Sequence, residues 1–208
     1  EIRLSLVGSE MCIRDRCDEI KQSGTLPLYL GFKDTWTCLA PWNALAVGLT
    51  DSDTCNQVNM ENITFSDTYG PVAEKMRALL DYAEKNPYAY GYNDACTAFA
   101  RGESAMYPIG IYAIPQIKSV NPDMNIGSFT FPANDEESDN VLNSGIDFQD
   151  HHYPSEMSVD AMVQTFLLDT SDNAQEKFLK KFDSDWKRYN RDLIRKVQDY
   201  QKEQEDAQ

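Results

Sequence analysis

The most informative segment of the sequence is Phe99-Ala100-Arg101-Gly102-Glu103-Ser104-Ala105-Met106-Tyr107-Pro108-Ile109-Gly110-Ile111-Tyr112-Ala113. The run before it, Tyr92 to Ala100, predicts a helix that ends at Gly102. Within the stretch, Ala105 to Gly110 predicts a short strand. Ile111 to Ser119 predicts the next helix. A helix, a strand and a helix in direct succession are typical of an α/β protein.

The sequence upstream continues this alternation. Leu26 to Gly31 predicts a short strand that ends on a glycine, and Trp42 to Val47 predicts a compact apolar helix. Thr50 to Thr68 is polar and rich in turn residues, so we expect an exposed excursion. Gly70 to Lys85 predicts a helix, because Pro71 suits a first helical turn and Asn86-Pro87 supplies a stop.

The sequence downstream predicts two further strands, Ile126 to Phe131 and Val141 to Phe148. From Ser158 onward the pattern is helical. Its later apolar positions step by three and four, which predicts one long amphipathic helix carrying Phe178, Phe182, Trp186, Tyr189, Leu193, Val197 and Tyr200. The fold class predicted from the whole pattern is a helix-rich α/β protein.

Composition excludes several classes of partner. The chain has 208 residues, 41% of them hydrophobic and 11% aromatic, as in an ordinary globular protein. Its formal net charge of −15 argues against nucleic acid, whose phosphates require patches of Lys and Arg. The same charge argues against electrostatic docking on an anionic membrane.

The motifs of most cofactor and metal sites are missing from the sequence. There is no glycine-rich phosphate loop and no G-x-S-x-G nucleophile elbow. The adjacent pair His151-His152 is poorly placed for one metal ion, and Asp51-Ser52-Asp53 lacks the later ligands of a calcium loop. We therefore expect no cofactor and no metal. The five cysteines include no C-x-x-C pair, and we expect them to be small buried thiols. A Cys38–Cys55 or Cys55–Cys96 disulfide is the alternative, and the sequence does not decide between these states.

Aromatic residues near predicted turns are the candidates for ligand contact. Trp36 follows the first predicted strand, and Tyr112 follows Gly110 at a strand-to-helix junction. Such junctions open onto the ligand crevice of α/β sheets. Flat aromatic rings can cover the apolar faces of a sugar, while the carboxylates of Asp34 and Asp147 can accept hydrogen bonds from its hydroxyls. Core packing is the competing interpretation for each ring, and it is favoured for Trp42 and Trp186.

The segment from Phe99 to Ile117 resembles the F-x-x-G-x-A-A-M-Y-x-x-G-x-W/Y-A block of family 1 extracellular solute-binding proteins, which include maltose-binding proteins. The similarity continues through Asn121 to Gly127 and Ser144-Gly145-Ile146-Asp147, and upstream through Lys33 to Thr37 and Trp42 to Leu45. It covers about Cys17 to Phe148.

This resemblance implies a periplasmic-binding-protein-like type II fold, whose two lobes close around a sugar or oligosaccharide. It implies a component of an ABC importer, with permease subunits as partners, no enzymatic activity and a monomeric state. It also implies a location on the extracellular face of the cell membrane or in the periplasm, with the full-length protein secreted or a lipoprotein. It further implies that Trp36 and Tyr112 stack on sugar rings, with Gly110 beside them and Asp34 and Asp147 as polar contacts.

Two departures from the family and an adapter-like leader set the expected domains. Residues 1–16 resemble translated sequencing-adapter DNA, so we expect a non-native leader there. Residues 17–148 are expected to form the α/β part of the second lobe, and residues 149–208 its C-terminal helical segment, joined across an internal deletion. We expect the family's first lobe to be absent, so that this chain is about one lobe and binds weakly or not at all.

Two other functions stay open at this point. A carbohydrate-active hydrolase fragment would need two facing carboxylates in a cleft. A helical protein-interaction module would need the stripe from Phe178 to Tyr200 to stay exposed when the rest of the chain folds.

Overall fold

The structure, a computed structural model, describes the backbone of residues 10–134 and 152–206 and the side chains of residues 13–134 and 152–204. Helices dominate it, and two short strands, β1 (Leu26–Leu28) and β2 (Ser104–Met106), pair in parallel. The helices in chain order are α1 (Glu10–Gln22), α2 (Leu39–Leu49), α3 (Thr54–Asn59), α4 (Phe65–Thr68), α5 (Gly70–Ala78), α6 (Tyr92–Ala100), α7 (Ile114–Val120), α8 (Val159–Leu168), α9 (Ala174–Tyr189) and α10 (Arg191–Asp206). The predicted helix-rich α/β class is confirmed.

The parallel pair fixes where a ligand site can lie. Leu26 is opposite Ser104 and Leu28 is opposite Met106, so both strands run in the same direction. Parallel strands need a long crossover connection, and here it passes through α2 to α6. The segments that follow the two strands therefore leave the sheet at the same edge.

The main core is aromatic and joins the two halves of the sequence. Trp42 of α2, Phe65 of α4 and Tyr69 are fully buried against Phe182 and Trp186 of α9, with most of the ring pairs edge to face. Packing of this kind contributes about 0.5–1.5 kcal/mol per aromatic pair beyond the burial of apolar area. The C-terminal helices α8 and α9 thus share one core with α2 and α4.

Most predicted elements are confirmed with changed bounds, and the helix predicted over Trp42–Val47 is longer, spanning Leu39–Leu49 as α2. Helix α6 has the predicted bounds, and the strands predicted over Leu26–Gly31 and Ala105–Gly110 are present as β1 and β2 but end early. The helix predicted over Gly70–Lys85 is α-helical to Ala78 and continues as a 3₁₀ turn over Leu79–Tyr82. The predicted excursion Thr50–Thr68 is only partly exposed, because it contains α3 and α4 and buries Phe65 completely.

The strand predicted over Ile126–Phe131 is wrong. The residues form no strand, and Phe129 is exposed. A strand forms only where a neighbour pairs with it, and local composition does not show whether one is present. The strand predicted over Val141–Phe148 lies outside the described residues.

The single long C-terminal helix is also a wrong prediction. Asn190 separates α9 from α10, and the apolar stripe divides with it. On α9 Phe178, Phe182 and Trp186 are buried in the core and Tyr189 is exposed, whereas on α10 Ile194 is buried but Leu193 and Tyr200 are exposed. The buried α9 half counts against the interaction-module interpretation. A single non-helical residue hardly changes the helical spacing of the apolar residues, so the sequence pattern could not reveal the break between α9 and α10.

Helix α1 crosses the predicted boundary between residues 16 and 17. Ile13, Cys17 and Ile20 on this helix are buried, so the last turn of the predicted leader contributes to the core. The non-native origin of residues 1–16 and the predicted domain bounds remain predictions.

In the described part of the chain, no helix combines the length and the apolar character that crossing a membrane requires.

Candidate ligand-binding site

Three aromatic rings meet beyond the carboxyl ends of the two strands. The ring centroid of Trp36 lies 6.2 Å from that of Tyr112 and 5.1 Å from that of Tyr92, with interplanar angles of 46° and 49°. Trp36 is 42% exposed and Tyr112 is 55% exposed, so part of each ring remains accessible to a ligand. We call these three residues the aromatic platform. The structure therefore brings the two predicted stacking residues together.

The loop after β1 that carries Trp36 is tied down by a buried carboxylate. Glu84 accepts hydrogen bonds from the backbone N–H groups of Leu30 (2.9 Å) and Gly31 (3.1 Å). Gly31 has a φ of +66°, and a Cβ there would meet the Ala95 side chain at 2.8 Å, so only glycine fits. The loop thus turns at a fixed place directly before Asp34 and Trp36.

Bonds from the C-terminal half hold the same loop on its other side. The hydroxyl of Thr35 donates to Asp160 of α8 (2.5 Å), and the side-chain amide of Gln164 donates to the carbonyl of Phe32 (2.6 Å). Thr37 is buried and its hydroxyl donates to the Gly31 and Asp34 carbonyls. Trp36 is therefore presented by a rigid loop, as a pre-organised contact requires.

Asp34 links the platform to the start of α6. Its Oδ2 accepts a hydrogen bond from the backbone N–H of Tyr92 at 2.8 Å, which satisfies one of the free donors at that helix end. The carboxylate sits so close to Gly91 that a Cβ on that residue would lie 2.5 Å from Oδ2. Asp34 was predicted as a polar ligand contact, and the structure gives it this capping bond beside the platform.

Gly110 is required by the position of the Tyr112 ring. A Cβ on Gly110 would lie 2.2 Å from Cε1 and 2.6 Å from Cδ1 of that ring. The backbone of Gly110 (φ −70°, ψ 156°) is open to any residue, so conformation is not the reason for glycine. The ring instead rests directly over the Gly110 Cα.

Tyr92 is a platform residue that the sequence did not single out. In sequence it is the first residue of a predicted helix, and nothing local indicates that Trp36, far away in the chain, packs on its ring. Burial raises the pKa of both Tyr92 and Tyr112 above the ordinary tyrosine value. Both hydroxyls therefore stay protonated at physiological pH and can donate as well as accept hydrogen bonds.

A third tyrosine packs against the same small cluster as Tyr92. The hydroxyl of Tyr107 is buried without a hydrogen-bond partner in the described part of the chain, and burial raises its pKa strongly. The ring centroid of Tyr107 lies 6.4 Å from that of Phe99. A buried polar atom without a partner costs about 1–3 kcal/mol.

Asp147, the remaining predicted contact, lies outside the described residues. Among the described residues no group of three or more His, Cys, Asp or Glu side chains could hold a metal ion. Cys38 and Cys96 are buried free thiols, so neither bridge left open by the sequence is formed. What the arrangement offers is apolar ring faces with neutral hydroxyls around them, which suits binding of a ligand that is apolar on its faces and polar at its edge.

No family model matches the chain. A curated relative, the multiple sugar-binding protein of Streptococcus mutans serotype c (strain ATCC 700610 / UA159), is 45% identical over 49 residues, which are 24% of this chain and 12% of that protein. Among solved structures, the apo-form of RafE from Streptococcus pneumoniae superposes with a TM-score of 0.62 at 17% identity, covering 86% of this chain and 64% of that one.

The chain thus spans less than two thirds of the length of either relative. The superposition establishes the fold, and the helix-rich architecture is consistent with about one lobe. The resemblance predicted from the Phe99–Ile117 block is confirmed: the chain is similar to part of a family 1 extracellular solute-binding protein, in sequence over a short segment and in fold over most of its length.

Proposed function

We propose that the chain is a sugar-binding part of the solute-binding component of an ABC importer, and that it binds without catalysing a reaction. The observation that carries the proposal is the aromatic platform, in which Trp36, Tyr92 and Tyr112 converge at the carboxyl edge of a parallel strand pair. Ligands of α/β proteins bind at this edge. The similarity to a multiple sugar-binding protein supports a sugar as the ligand.

The size of the platform predicts weak binding by this chain alone. A sugar ring stacked on an aromatic ring gains about 1 kcal/mol by analogy with aromatic pairs, so three rings supply about 3 kcal/mol. That free energy corresponds to a Kd of several millimolar, since 1 mM requires about 4.1 kcal/mol. Typical ligand pockets bury about 70–90% of the ligand, whereas this platform is open on one side.

The wider roles follow from the same proposal. A second lobe would close over the platform and supply the missing burial, and the closed form would dock on the permease subunits of the importer. The location would be the outer face of the cell membrane or the periplasm. The net charge of −15 fits a solvated protein that is not held on an anionic surface by charge.

Tryptophan fluorescence tests the proposal directly. Trp42 and Trp186 are 0% and 2% exposed, so a ligand that reaches the platform contacts Trp36 and neither of these two. Titrations with maltose, xylo-oligosaccharides and fructo-oligosaccharides should give a saturable change with a millimolar midpoint for at least one series.

The matched variants are Trp36→Ala, which should remove the signal, and Tyr200→Ala on α10, which removes an exposed ring far along the chain and should leave it intact. A micromolar midpoint would contradict the weak-binding proposal. No response to any series would contradict the sugar-binding proposal. Release of reducing ends during incubation, lost on replacing one carboxylate, would instead favour a hydrolase.

A further inference from the structure

Helix α10 keeps an apolar face that the fold leaves largely uncovered. The helix packs against α3 and α9 with the side chain of Ile194 buried, and Gln198 donates a hydrogen bond to Glu61 (2.9 Å). Leu193 and Tyr200 on the same helix are 48% and 64% exposed. Because helices in proteins are stabilised mainly by the packing of an apolar face, this second face is suited to a partner.

The exposed face has the spacing of a contact between two helices. Val197 follows Leu193 by four residues, Tyr200 follows by three, and Gln204 by four again. At about 100° per residue, all four positions lie on one side of α10, about 60–120° around the helix axis from Ile194. Steps of three and four in alternation place side chains along the seam of a coiled coil. We call Leu193, Val197, Tyr200 and Gln204 the α10 stripe.

Two charged side chains lie along the outer edge of the α10 stripe. Lys196 and Glu203 are both exposed, and among the described residues neither has an ion-pair partner. Arg195 and Asp199, on the other side of the helix, pair with each other at 3.9 Å. Lys196 and Glu203 are seven residues apart, whereas side chains on one helix meet at a spacing of three or four. The edge therefore presents one cation and one anion that cannot pair within the chain.

We propose that the α10 stripe binds a second copy of this chain, in a symmetric antiparallel pair of α10 helices. Val197 of each copy faces Tyr200 of the other, and Leu193 faces Gln204. The two apolar faces cover each other, and the two-fold symmetry closes the contact at two chains. This inference does not rest on the proposed function.

The edge charges select the antiparallel orientation. In this register Lys196 of each copy lies beside Glu203 of the other, so one contact forms two ion pairs. In a parallel pair Lys196 would instead lie beside the uncharged Gln201. Charge complementarity between two identical helices thus favours one of the two orientations.

The size of the contact predicts a weak pair. Stable complexes bury about 800 Å² on each partner, and one face of the sixteen-residue α10 supplies less. Two chains with a net charge of −15 also repel each other, although salt at physiological ionic strength screens exposed charges beyond about 8 Å. We expect a Kd on the order of 100 µM, so that the chain is a monomer at low micromolar concentration.

Sedimentation equilibrium of the full chain tests the inference, at physiological ionic strength and from about 10 µM to about 1 mM protein. The average mass should rise from 23.7 kDa toward twice that value and no further. Leu193→Asp should weaken association at least tenfold. Because Leu193 is exposed, this variant should keep the urea melt of the wild type.

A charge reversal with a matched control tests the edge. Lys196→Glu turns two attractions into two repulsions and should weaken association about tenfold. Lys202→Glu makes the same change of net charge on the opposite side of α10, where the side chain is also exposed. It should change the Kd less than about threefold, because only the general repulsion between the chains increases.

Mixing two variants tests the orientation. Glu203→Lys lowers the net negative charge, so general repulsion alone would make it associate more tightly than the wild type. The proposed register predicts weaker association, because two lysines then lie side by side. Lys196→Glu and Glu203→Lys chains mixed together recover both ion pairs and should associate with about the affinity of the wild type.

Four results would overturn the inference. The first is a mass that stays at one chain up to about 1 mM, and the second is a mass that rises beyond two chains. The third is a Leu193→Asp variant that associates like the wild type, which would place the contact on another surface. The fourth is a mixture that associates no better than its two components alone.

Discussion

Replacing Gly110 with alanine should displace the Tyr112 ring while the protein stays folded. The new Cβ would lie 2.2 Å from Cε1, 2.6 Å from Cδ1 and 3.0 Å from Cζ of that ring. Carbon atoms in contact are normally about 3.5–4.0 Å apart, so the ring must move by roughly 1 Å or more. Because Tyr112 is more than half exposed, it can swing toward solvent without disturbing the core.

The effect of Gly110→Ala on stability should be small, for two reasons. The φ of −70° at Gly110 is accessible to alanine, so no backbone strain arises. Alanine at a compatible site stabilises a protein by about 0.4–1 kcal/mol through the unfolded state, which offsets the lost ring contacts. We expect the free energy of unfolding in urea to stay within about 1 kcal/mol of the wild type.

The binding readout carries the prediction. Gly110→Ala should weaken the affinity for the best glycan by about fivefold, as much as Tyr112→Ala does, because both remove one stacking face. In the Tyr112→Ala background the glycine substitution should have no further effect, which is the signature of two changes that act through one group. The reasoning is refuted if Gly110→Ala binds as well as the wild type, or if the two losses are additive.

Three further predictions concern the scaffold. Asp34→Ala should lower the free energy of unfolding by about 1 kcal/mol, because the backbone N–H of Tyr92 loses its acceptor. Asp34→Asn keeps an acceptor oxygen and should lose less. Urea melts in which both variants lose the same unfolding free energy would contradict the capping role. Glu84→Ala should cost about 3 kcal/mol, because it leaves two buried N–H groups without an acceptor; a loss below about 1 kcal/mol would be inconsistent with the carboxylate as the loop's anchor. Burial raises the pKa of Cys17 to about 11 and of Cys38 to about 12, so the folded state retains protons that the unfolded state loses above about pH 9. Stability should therefore be constant near neutrality and fall from about pH 9 up to about pH 11 for Cys17 and about pH 12 for Cys38, by about 1 kcal/mol per thiol at pH 10. Urea melts that match at pH 7 and pH 10 would count against this.

Elements that depend on local signals could be predicted from the sequence. Helix α6 has its predicted bounds because its start and stop residues are contiguous with it. The strand predicted over Ile126–Phe131 failed because strand formation depends on a partner that local composition does not reveal. The break at Asn190 was hidden for a different reason, since the docking of α10 is a tertiary preference and leaves the spacing of apolar residues nearly unchanged.

In the candidate site too, the residues with local sequence signals could be predicted and those defined by long-range contacts could not. Trp36 and Tyr112 could be proposed because each follows a strand, and parallel strands bring such positions to one edge. Tyr92 could not, because its role comes from a ring contact across more than fifty positions of sequence. The reason for glycine at position 110 is likewise a three-dimensional one, the ring above it, and no turn rule indicates it.

The central claim is that Trp36 is the tryptophan that a sugar touches. The indole N–H of Trp42 donates to the Tyr153 hydroxyl at 3.3 Å, and that of Trp186 donates to Asn59 at 2.9 Å, both in the interior. The most direct test is therefore an NMR titration that follows the three indole N–H signals with millimolar oligosaccharide. We expect a saturable shift of the Trp36 signal alone. Three unmoved signals, or shifts of the Trp42 and Trp186 signals equal to that of Trp36, would contradict it.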